Sequence, residues 1–207
     1  FEVKQMFNVE HWLFKKRTVF YITRSCFYRM ANIVDSAPAF QSLIFSTAKE
    51  LSAFPEWKTI GGKAIQRLEQ KGIFLAVVFF KHEFAGYYWG ITGQDNQILW
   101  HDKFPIKPRQ GLVFNAFVFP SYRRKGVYRL LQKRIHEHLF SNGCDVVYTI
   151  VENSNTPSMK ANVEFGLKKF ATNYLIKFFG KNIFSIYTNP EGTKVYYVGH
   201  GPQSHSF

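Results

Sequence analysis

Short apolar runs rich in β-branched and aromatic residues recur along this chain between polar breaks, and they predict strands. Two of the runs, Ile73–Phe80 and Phe84–Ile91, are separated by Lys81, His82 and Glu83, which predicts an antiparallel hairpin in the middle of a sheet. The other predicted strands are Arg17–Ile22, Gly111–Phe119, Val146–Val151, Leu167–Phe179 and Ile183–Tyr187.

Apolar residues at helical spacing predict helices between these strands. The most regular one is Gly126–Ser141, and Gly143 lies just past its end, where a glycine suits the stop of a helix. Shorter helices are expected near Lys63–Gln70, which Gly72 would end, and over Thr156–Phe165.

A further helix is predicted before the hairpin. Asp35 or Ser36 can cap it, and Pro38 then falls in its first turn. Its apolar positions at helical spacing are Phe40, Leu43, Ile44, Ala48 and Leu51. Two helices, a meander and a strand–helix–strand crossover therefore follow one another, which indicates a mixed α/β sheet rather than a doubly wound one.

The composition indicates a packed globular chain with an anionic partner. Hydrophobic residues make up 46% and aromatic residues 18% of the 207 residues. The net charge of +13 favours a nucleotide cofactor, nucleic acid or an acidic membrane surface, and charge alone does not choose among them.

Several classes of protein are not favoured by the same sequence. The longest apolar run, Ile73–Phe80, is far shorter than the roughly 20 residues of a membrane helix, so no membrane span is expected. Cys26 and Cys144 make no disulfide framework and no secretory signal is visible, so a cytoplasmic protein is expected. His136 and His138 are two apart on a predicted helix and point to different sides, so no metal site is expected.

The most informative segment, Val118–Tyr128, joins a predicted strand to the most regular predicted helix through a basic turn. Free backbone N–H groups and the positive helix end then point at one spot, which is typical of an anion site. Gly126 would let a ligand approach the backbone closely. The turn adds formal positive charge from Arg123, Arg124 and Lys125. A solvated basic turn that only caps a helix explains the same residues, and a dinucleotide fingerprint or a P-loop fits them poorly.

This segment resembles the acetyl-CoA motif of the GNAT superfamily of N-acetyltransferases, whose core is Gln/Arg-x-x-Gly-x-Gly/Ala. Arg123 and Gly126 stand at its first two fixed positions. A second block, Glu152–Lys160, resembles the Asn-x-x-Ser segment of the family, and Gly166-Leu167 resembles its closing Gly-Phe. The resemblance is specific over about Gly111–Phe170 and only topological upstream of it.

The resemblance implies a GNAT-like α/β (α+β) fold, with a mixed, mostly antiparallel central sheet flanked by helices and a splayed strand pair for the CoA pantetheine. It implies acetyl-CoA as the cosubstrate, aligned beside a neutral amine. Backbone groups of the splayed strand and of the basic turn would hold the pantetheine and the pyrophosphate. The residues implied in acetyl-CoA binding are Ala116, Phe117, Val118, Arg123, Arg124, Lys125, Gly126, Val127, Tyr128, Asn155 and Ser158.

Two positions depart from the family pattern. Tyr128 stands where Gly or Ala is usual, which makes the end of the turn bulkier. Asn162 stands where many members carry a tyrosine that protonates the leaving thiolate, and asparagine cannot supply that proton. The catalytic residues therefore stay unassigned. The candidates that could reach an acceptor are Glu152, Tyr88 and Asp102, and a structural or solvated role explains each of them as well.

Together these expectations describe an N-acetyltransferase acting on a primary amine of a small molecule, such as an amino sugar or an amino acid derivative. A non-catalytic CoA-binding or sensory domain is the alternative, and a nucleic-acid-binding module is not favoured because no such motif is recognisable. A homodimer is compatible with the sequence. One domain is expected, with an N-terminal extension and first strand (1–35), acceptor-side helices and hairpin (36–110), an acetyl-CoA-binding core with closing strands (111–190) and a tail (191–207).

Overall fold

A mixed sheet forms the centre of the computed structural model, which describes residues 14–31, 40–61, 63–93, 106–178, 181–188 and 194–198. Its strands are β1 (Phe14–Thr23), β2 (Phe40–Phe45), β3 (Ile73–Phe80), β4 (Glu83–Thr92), β5 (Gln110–Val118), β6 (Val146–Glu152), β7 (Lys168–Phe178), β8 (Lys181–Thr188) and β9 (Lys194–Val198). Across the described part of the sheet they lie in the order β2-β3-β4-β5-β6-β1-β7-β8-β9. Only β5 and β6 pair in parallel there, which confirms the predicted mixed, mostly antiparallel sheet.

Helices flank this sheet and are begun by local signals in the sequence. Thr47 and Glu50 form a capping box at the start of one short helix, and the Asn155 side chain accepts a hydrogen bond from the Ser158 amide at the start of another. No helix among the described residues is long and apolar enough to cross a membrane. The α-helices are α1 (Arg24–Ala31), α2 (Ala48–Ser52), α3 (Ala64–Leu68), α4 (Val127–Ser141) and α5 (Thr156–Glu164).

The prediction of a helix that begins at Asp35 or Ser36 is wrong for the residues that the structure describes there, because Phe40–Phe45 forms strand β2. The expected caps and Pro38 lie outside the described residues. Phe40 and Ile44 are four apart, a spacing that puts two side chains on one face in a helix and in a strand alike. Both pack against the core in the structure, while pairing with β3 supplies the backbone partners. Only the end of the predicted helix, at α2, is helical.

The expected tail, residues 191–207, contains a strand. Its residues Lys194–Val198 form β9 and pair antiparallel with β8. The rest of that segment lies outside the described residues. Five residues give a weak sequence signal by themselves, so pairing with a neighbouring strand decides their conformation.

The two faces of the sheet bury separate apolar clusters. On one face α4 packs through Leu131 and Ile135 together with Tyr88. On the other face α2 and α3 cover Trp89, the residue next to Tyr88 in β4. Gly90 allows the close approach of α4, since a Cβ atom there would lie 2.8 Å from Ile135. Alternation along β4 therefore sends Tyr88 toward α4 and Trp89 toward α3.

Strand β1 lies between β6 and β7 and pairs antiparallel with both. This pairing joins residues far apart in sequence, and it sets Arg17 directly opposite Glu152 at the end of β6. A side chain from the beginning of the chain is thereby placed beside the block Glu152–Lys160.

His136 on α4 is buried among aromatic rings. From this burial we predict that the protein loses stability in acid. Its Nδ1 donates to the Gln132 carbonyl oxygen at 2.7 Å, and among the described residues its Nε2 has no hydrogen-bond partner. Burial lowers the pKa of the imidazole to about 4. As the pH falls, the unfolded chain binds this proton at a higher pH than the folded protein does. The stabilisation that comes from the neutral imidazole is therefore complete above pH 6.5 and is lost as the pH falls towards 4.

We expect this histidine to lower the free energy of unfolding by about 2 kcal/mol between pH 7 and pH 5. Urea titrations at the two pH values, on the natural protein and on His136→Phe, measure it. The variant keeps an aromatic ring and should lose less stability over this interval. Equal losses in the two proteins would show that His136 does not carry the effect.

Candidate functional site

The parallel strands β5 and β6 separate part of the way along their length. They are paired from Gln110 opposite Val146 to Val113 opposite Thr149, and the pairing ends there. Strand β5 nevertheless continues to Val118 and β6 to Glu152. On the side away from β4, backbone groups of β5 beyond Val113 therefore face a cleft instead of β6, as the predicted splayed pair requires.

A bulge in β5 accompanies this separation. Trp89 of β4 lies opposite Phe114, whereas Tyr87, two residues away, lies opposite Phe117, so β5 has one residue more than β4 over this stretch. Asn115, inside the bulge, has a φ of 51°, in the left-handed region. Bulges increase the local bend of a strand, and this one lies where β5 leaves β6.

A cavity of about 600 Å³ occupies the cleft between the separated strand ends. Its walls come from β5, β6, the neighbouring strands β1 and β4, and helices α3, α4 and α5. The residues around it are Arg17, Arg67, Tyr88, Leu112, Val113, Phe114, Asn115, Ala116, Tyr128, Thr149, Ile150, Val151, Glu152, Asn155 and Ser158.

The basic turn follows the end of β5 directly and is held in place by side chains. The Tyr122 hydroxyl donates to the Glu83 carboxylate on the hairpin, and Arg123 Nε donates to the Val118 carbonyl oxygen at 3.1 Å. Arg124 and Gly126 have φ values of 60° and 80°, both in the left-handed region. Successive amides in such a conformation form a concave anion-binding surface.

The first turn of α4 leaves its amides outside the helix ladder. The first hydrogen bond of the helix runs from the Leu130 amide to the Gly126 carbonyl oxygen, at 3.0 Å. The N–H groups of Val127, Tyr128 and Arg129 precede it and belong to the orphan donors of a helix N-terminus. Among the described residues no side chain caps this end, and a Cβ atom at Gly126 would meet none of their atoms within 4 Å. The space beside Gly126 is therefore open in the described part of the chain.

A second cavity, of about 330 Å³, lies against this turn between α4 and α5. Its walls include the predicted residues Val118, Arg123, Arg124, Gly126 and Val127. Tyr128 lines this cavity and the first one, so its side chain stands at the junction of the two. The bulky residue that departs from the family motif therefore points into the site and not away from it.

The Tyr128 hydroxyl lies in a polar environment at this junction. The Tyr88 and Tyr128 ring centroids are 5.8 Å apart, and both tyrosines line the first cavity together with Ser158. Burial raises the pKa of both phenols above the usual value. Both are therefore protonated at neutral pH and can donate a proton.

Asn162 contributes to the packing of this region and does not line either cavity. It is fully buried, accepts a hydrogen bond from Gln132 Nε2 at 2.9 Å and donates to the Ser158 carbonyl oxygen at 2.8 Å. The first of these bonds joins α4 to α5, and the second lies within α5. The side chain at the expected tyrosine position thus has a hydrogen-bond partner on each of the two helices.

Glu152 brings a carboxylate to the cavity at the end of β6. The nearest guanidinium nitrogen of Arg17 lies 3.7 Å from its carboxylate, which is partly exposed. Of the three candidates for the base, Glu152 and Tyr88 line the cavity, whereas Asp102 lies outside the described residues. A high pKa makes Tyr88 a poor base at neutral pH.

All but two of the residues implied in acetyl-CoA binding line one of the two cavities. The Phe117 side chain is 37% exposed and stacks on Tyr87, and Lys125 lies over the ring of Tyr122. Sequence reasoning missed Arg17 and Arg67 in the first cavity. Arg17 directly follows Lys15 and Lys16 in β1, so its charge gives no signal of its own, and α3 offers none for Arg67.

A profile of the family described as "Acetyltransferase (GNAT) family" matches residues 40–166, more than half of the chain. No curated protein matches the chain in sequence. Among solved structures, a GCN5-related N-acetyltransferase from Kribbella flavida is similar, with a TM-score of 0.54 and 10% identity over 82% of this chain and 62% of that one.

A putative acetyltransferase of the GNAT family from Novosphingobium aromaticivorans has a TM-score of 0.50 and 14% identity, over 78% of this chain and 62% of that one. An aminoglycoside acetyltransferase from an uncultured soil metagenomic sample, in complex with sisomicin, has a TM-score of 0.46 and 10% identity, over 62% of this chain and 88% of that one. Such identities say nothing about the molecule on which this chain acts.

Proposed function

This chain belongs to the GNAT acetyltransferase family, and from that premise we propose that it transfers the acetyl group of acetyl-CoA to a primary amine of a small molecule. The transfer takes place by direct attack while both substrates are bound. The observation that carries the proposal is the separation of β5 from β6 after Val113, with the open basic turn at the end of the same strand.

Acetyl-CoA has two chemically different ends, and each of the two cavities suits one of these ends. The pyrophosphate binds at the turn, where the amides of Val127 and Tyr128 and the charges of Arg123 and Arg124 favour an anion. The pantetheine arm then passes Tyr128 into the cleft and pairs with the unpaired backbone of β5. This pairing aligns the thioester in the cavity of about 600 Å³.

The reaction forms one bond and breaks another. The neutral amine nitrogen attacks the acetyl carbon, the new C–N bond forms, and the C–S bond breaks with its electron pair on sulfur. Glu152 takes up a proton from the attacking amine, directly or through water, since its carboxylate lies at the cavity. The products are the N-acetylated amine and CoA with a free thiol.

Tyr128 supplies the proton to the leaving thiolate in this proposal. It takes the part for which the family pattern has a tyrosine at position 162, because it lines the first cavity together with Ser158 of the opposite helix, one turn before Asn162. Its raised pKa keeps it protonated at neutral pH. A phenol from α4 then replaces one from α5 at the same junction. The two cysteines, Cys26 and Cys144, are unbridged, which fits the cytoplasmic location that we propose.

The proposal is tested first by binding. We expect acetyl-CoA at a hundredfold excess over its Kd to stabilise the protein by about 2.7 kcal/mol, measured by thermal melting. A dinucleotide that has the pyrophosphate but no pantetheine serves as the control and should stabilise less. No shift with millimolar acetyl-CoA would contradict the proposal.

A release assay tests the chemistry separately. With acetyl-CoA and a panel of primary amines, a thiol reagent should detect free CoA thiol, and mass spectrometry should detect the acetylated amine. Binding of acetyl-CoA without thiol release from any amine would favour the non-catalytic CoA-binding domain.

A further inference from the structure

A backbone contact and a side-chain contact attach the basic turn to the β3–β4 hairpin. The Phe119 amide donates to the Ala85 carbonyl oxygen at 3.0 Å and continues the pairing of β4 with β5. The Tyr122 hydroxyl donates to the carboxylate of Glu83, the first residue of β4. Tyr122 is the last residue of the 3₁₀ turn Pro120–Tyr122, so this side-chain contact lies directly before the cations of the basic turn.

The Tyr122 ring is packed between the sheet and the basic turn. Tyr122 is 8% exposed, and its ring centroid lies 6.4 Å from that of Phe40 and 6.0 Å from that of Phe80. The Lys125 ammonium lies over the ring, 5.7 Å from the centroid. Tyr122 also lines the second cavity. One side chain therefore connects β2 and β3 with the proposed phosphate site.

The conformation of the basic turn needs support from its surroundings. Arg124 has a φ of 60°, in the left-handed region, which is unfavourable for a residue with a Cβ atom. Amides converge on an anion only while such a turn keeps its shape. A turn that must be ordered when the ligand binds gives a lower affinity than one that is already ordered. A contact that fixes the start of the turn thus contributes to anion binding.

Glu83 affects an anion at this turn in two opposite ways. Its negative charge repels the phosphates, and this effect alone weakens binding. Its carboxylate is also a strong acceptor for the Tyr122 phenol, and this bond fixes the turn. The same bond raises the pKa of Tyr122, so the phenol keeps its proton and donates at neutral pH. Substitutions at position 83 separate the charge from the hydrogen bond.

From these contacts we infer that Glu83 is a positioning residue for the cofactor: through the Tyr122 hydroxyl it holds the basic turn in the conformation that binds the pyrophosphate of acetyl-CoA. Glu83 lies 39 positions before Tyr122 in the chain and lines neither of the two cavities itself. The inference rests on the proposed binding of acetyl-CoA at this turn, and it names a residue outside the turn that sets the affinity.

Calorimetric titration of variants with acetyl-CoA tests the inference. Tyr122→Phe keeps the ring and removes the hydroxyl, and Glu83→Ala removes the acceptor; each should raise the Kd about tenfold, as the loss of one charged hydrogen bond implies. Glu83→Gln keeps an oxygen acceptor without the charge and should stay within about threefold of the natural protein. Glu137→Ala, which removes a carboxylate paired with Arg134 on α4, is the control and should leave the Kd unchanged.

A donor without phosphates distinguishes positioning from a general structural role. S-acetylpantetheine has the thioester and the pantetheine arm of acetyl-CoA but lacks its nucleotide. Tyr122→Phe should lower kcat/KM for acetyl-CoA about tenfold through KM and leave kcat, and kcat/KM for S-acetylpantetheine, within about threefold. Equal losses with both donors would overturn the inference. If no acceptor is acetylated, the Kd of pantetheine, from displacement of acetyl-CoA, decides: an unchanged value supports the inference and a tenfold rise overturns it.

The double variant of Glu83→Ala and Tyr122→Phe shows whether the two residues act through one contact. It should bind acetyl-CoA no more weakly than either single variant, because all three lack the same bond, and additive losses would contradict the inference. Urea unfolding without ligand identifies any variant that does not fold, and Glu83→Ala, at an exposed residue, decides if Tyr122→Phe is one of them.

The outcomes separate the inference from the proposed function. An unchanged or lower Kd in Glu83→Ala, or a loss in Glu83→Gln as large as in Glu83→Ala, would overturn the inference and leave acetyl-CoA binding standing. A natural protein that does not bind acetyl-CoA would overturn the proposed function and the inference with it.

Discussion

Tyr128→Phe is expected to lower kcat by about 10²- to 10⁴-fold, the range for loss of a general acid, and to leave the Kd for acetyl-CoA within about threefold. The variant keeps the ring at the junction of the two cavities and removes only the hydroxyl, the group proposed to donate the proton. Steady-state kinetics with the best acceptor, together with a binding titration for acetyl-CoA, measure the two quantities.

Tyr88→Phe is the matched control, because it removes the neighbouring phenol of the same cavity. Tyr88 lies 3.4 Å from Thr149, oxygen to oxygen, and its ring is 5.8 Å from that of Tyr128. Its kcat should fall less than that of Tyr128→Phe. An equal or larger loss in Tyr88→Phe would move the assignment to Tyr88. A loss below about threefold in both variants would show that a thiolate with a pKa near 8.5 leaves unassisted.

Gly126→Val is expected to raise the Kd for acetyl-CoA by about 10- to 100-fold, the equivalent of one charged hydrogen bond. The added side chain occupies space at the second cavity, which Gly126 lines and where the pyrophosphate is proposed to bind, since a Cβ atom at Gly126 meets no atom of the described residues within 4 Å. The φ of 80° also strains any residue with a Cβ atom, by about 1–2 kcal/mol, so some loss of stability is expected as well. Calorimetric titration with acetyl-CoA measures the affinity, and urea unfolding measures the stability.

Gly61→Val separates the two effects. Gly61 has a φ of 108° and open space around its Cβ position, but it lies between a 3₁₀ turn and α3 and lines neither cavity. This control should lose stability and keep the natural affinity for acetyl-CoA. A folded Gly126→Val protein that binds acetyl-CoA as the natural protein does would show that the basic turn is not the phosphate site.

The sequence by itself predicted the parts of the site that are continuous in the chain. The turn Arg123–Tyr128 lies between a strand and a helix, each with its own apolar period, and local backbone rules decide where such a turn places its amides. Asn155 caps α5 for the same local reason. The sequence predicts the hairpin β3–β4 equally well, since two apolar runs with a short polar break allow few other arrangements.

The tertiary structure decided what depends on distant partners. Phe40–Phe45 satisfies the helical and the extended spacing alike, and pairing with β3 selects the strand. The position of β1 between β6 and β7 brings Arg17 to Glu152, a contact between residues that no local period connects. The Gln132 side chain reaches Asn162 only because α4 packs beside α5. Local spacing specifies which elements form and which face they bury, whereas the side chains that meet in a cavity depend on how the elements pair and pack, and hence on contacts between residues far apart in sequence.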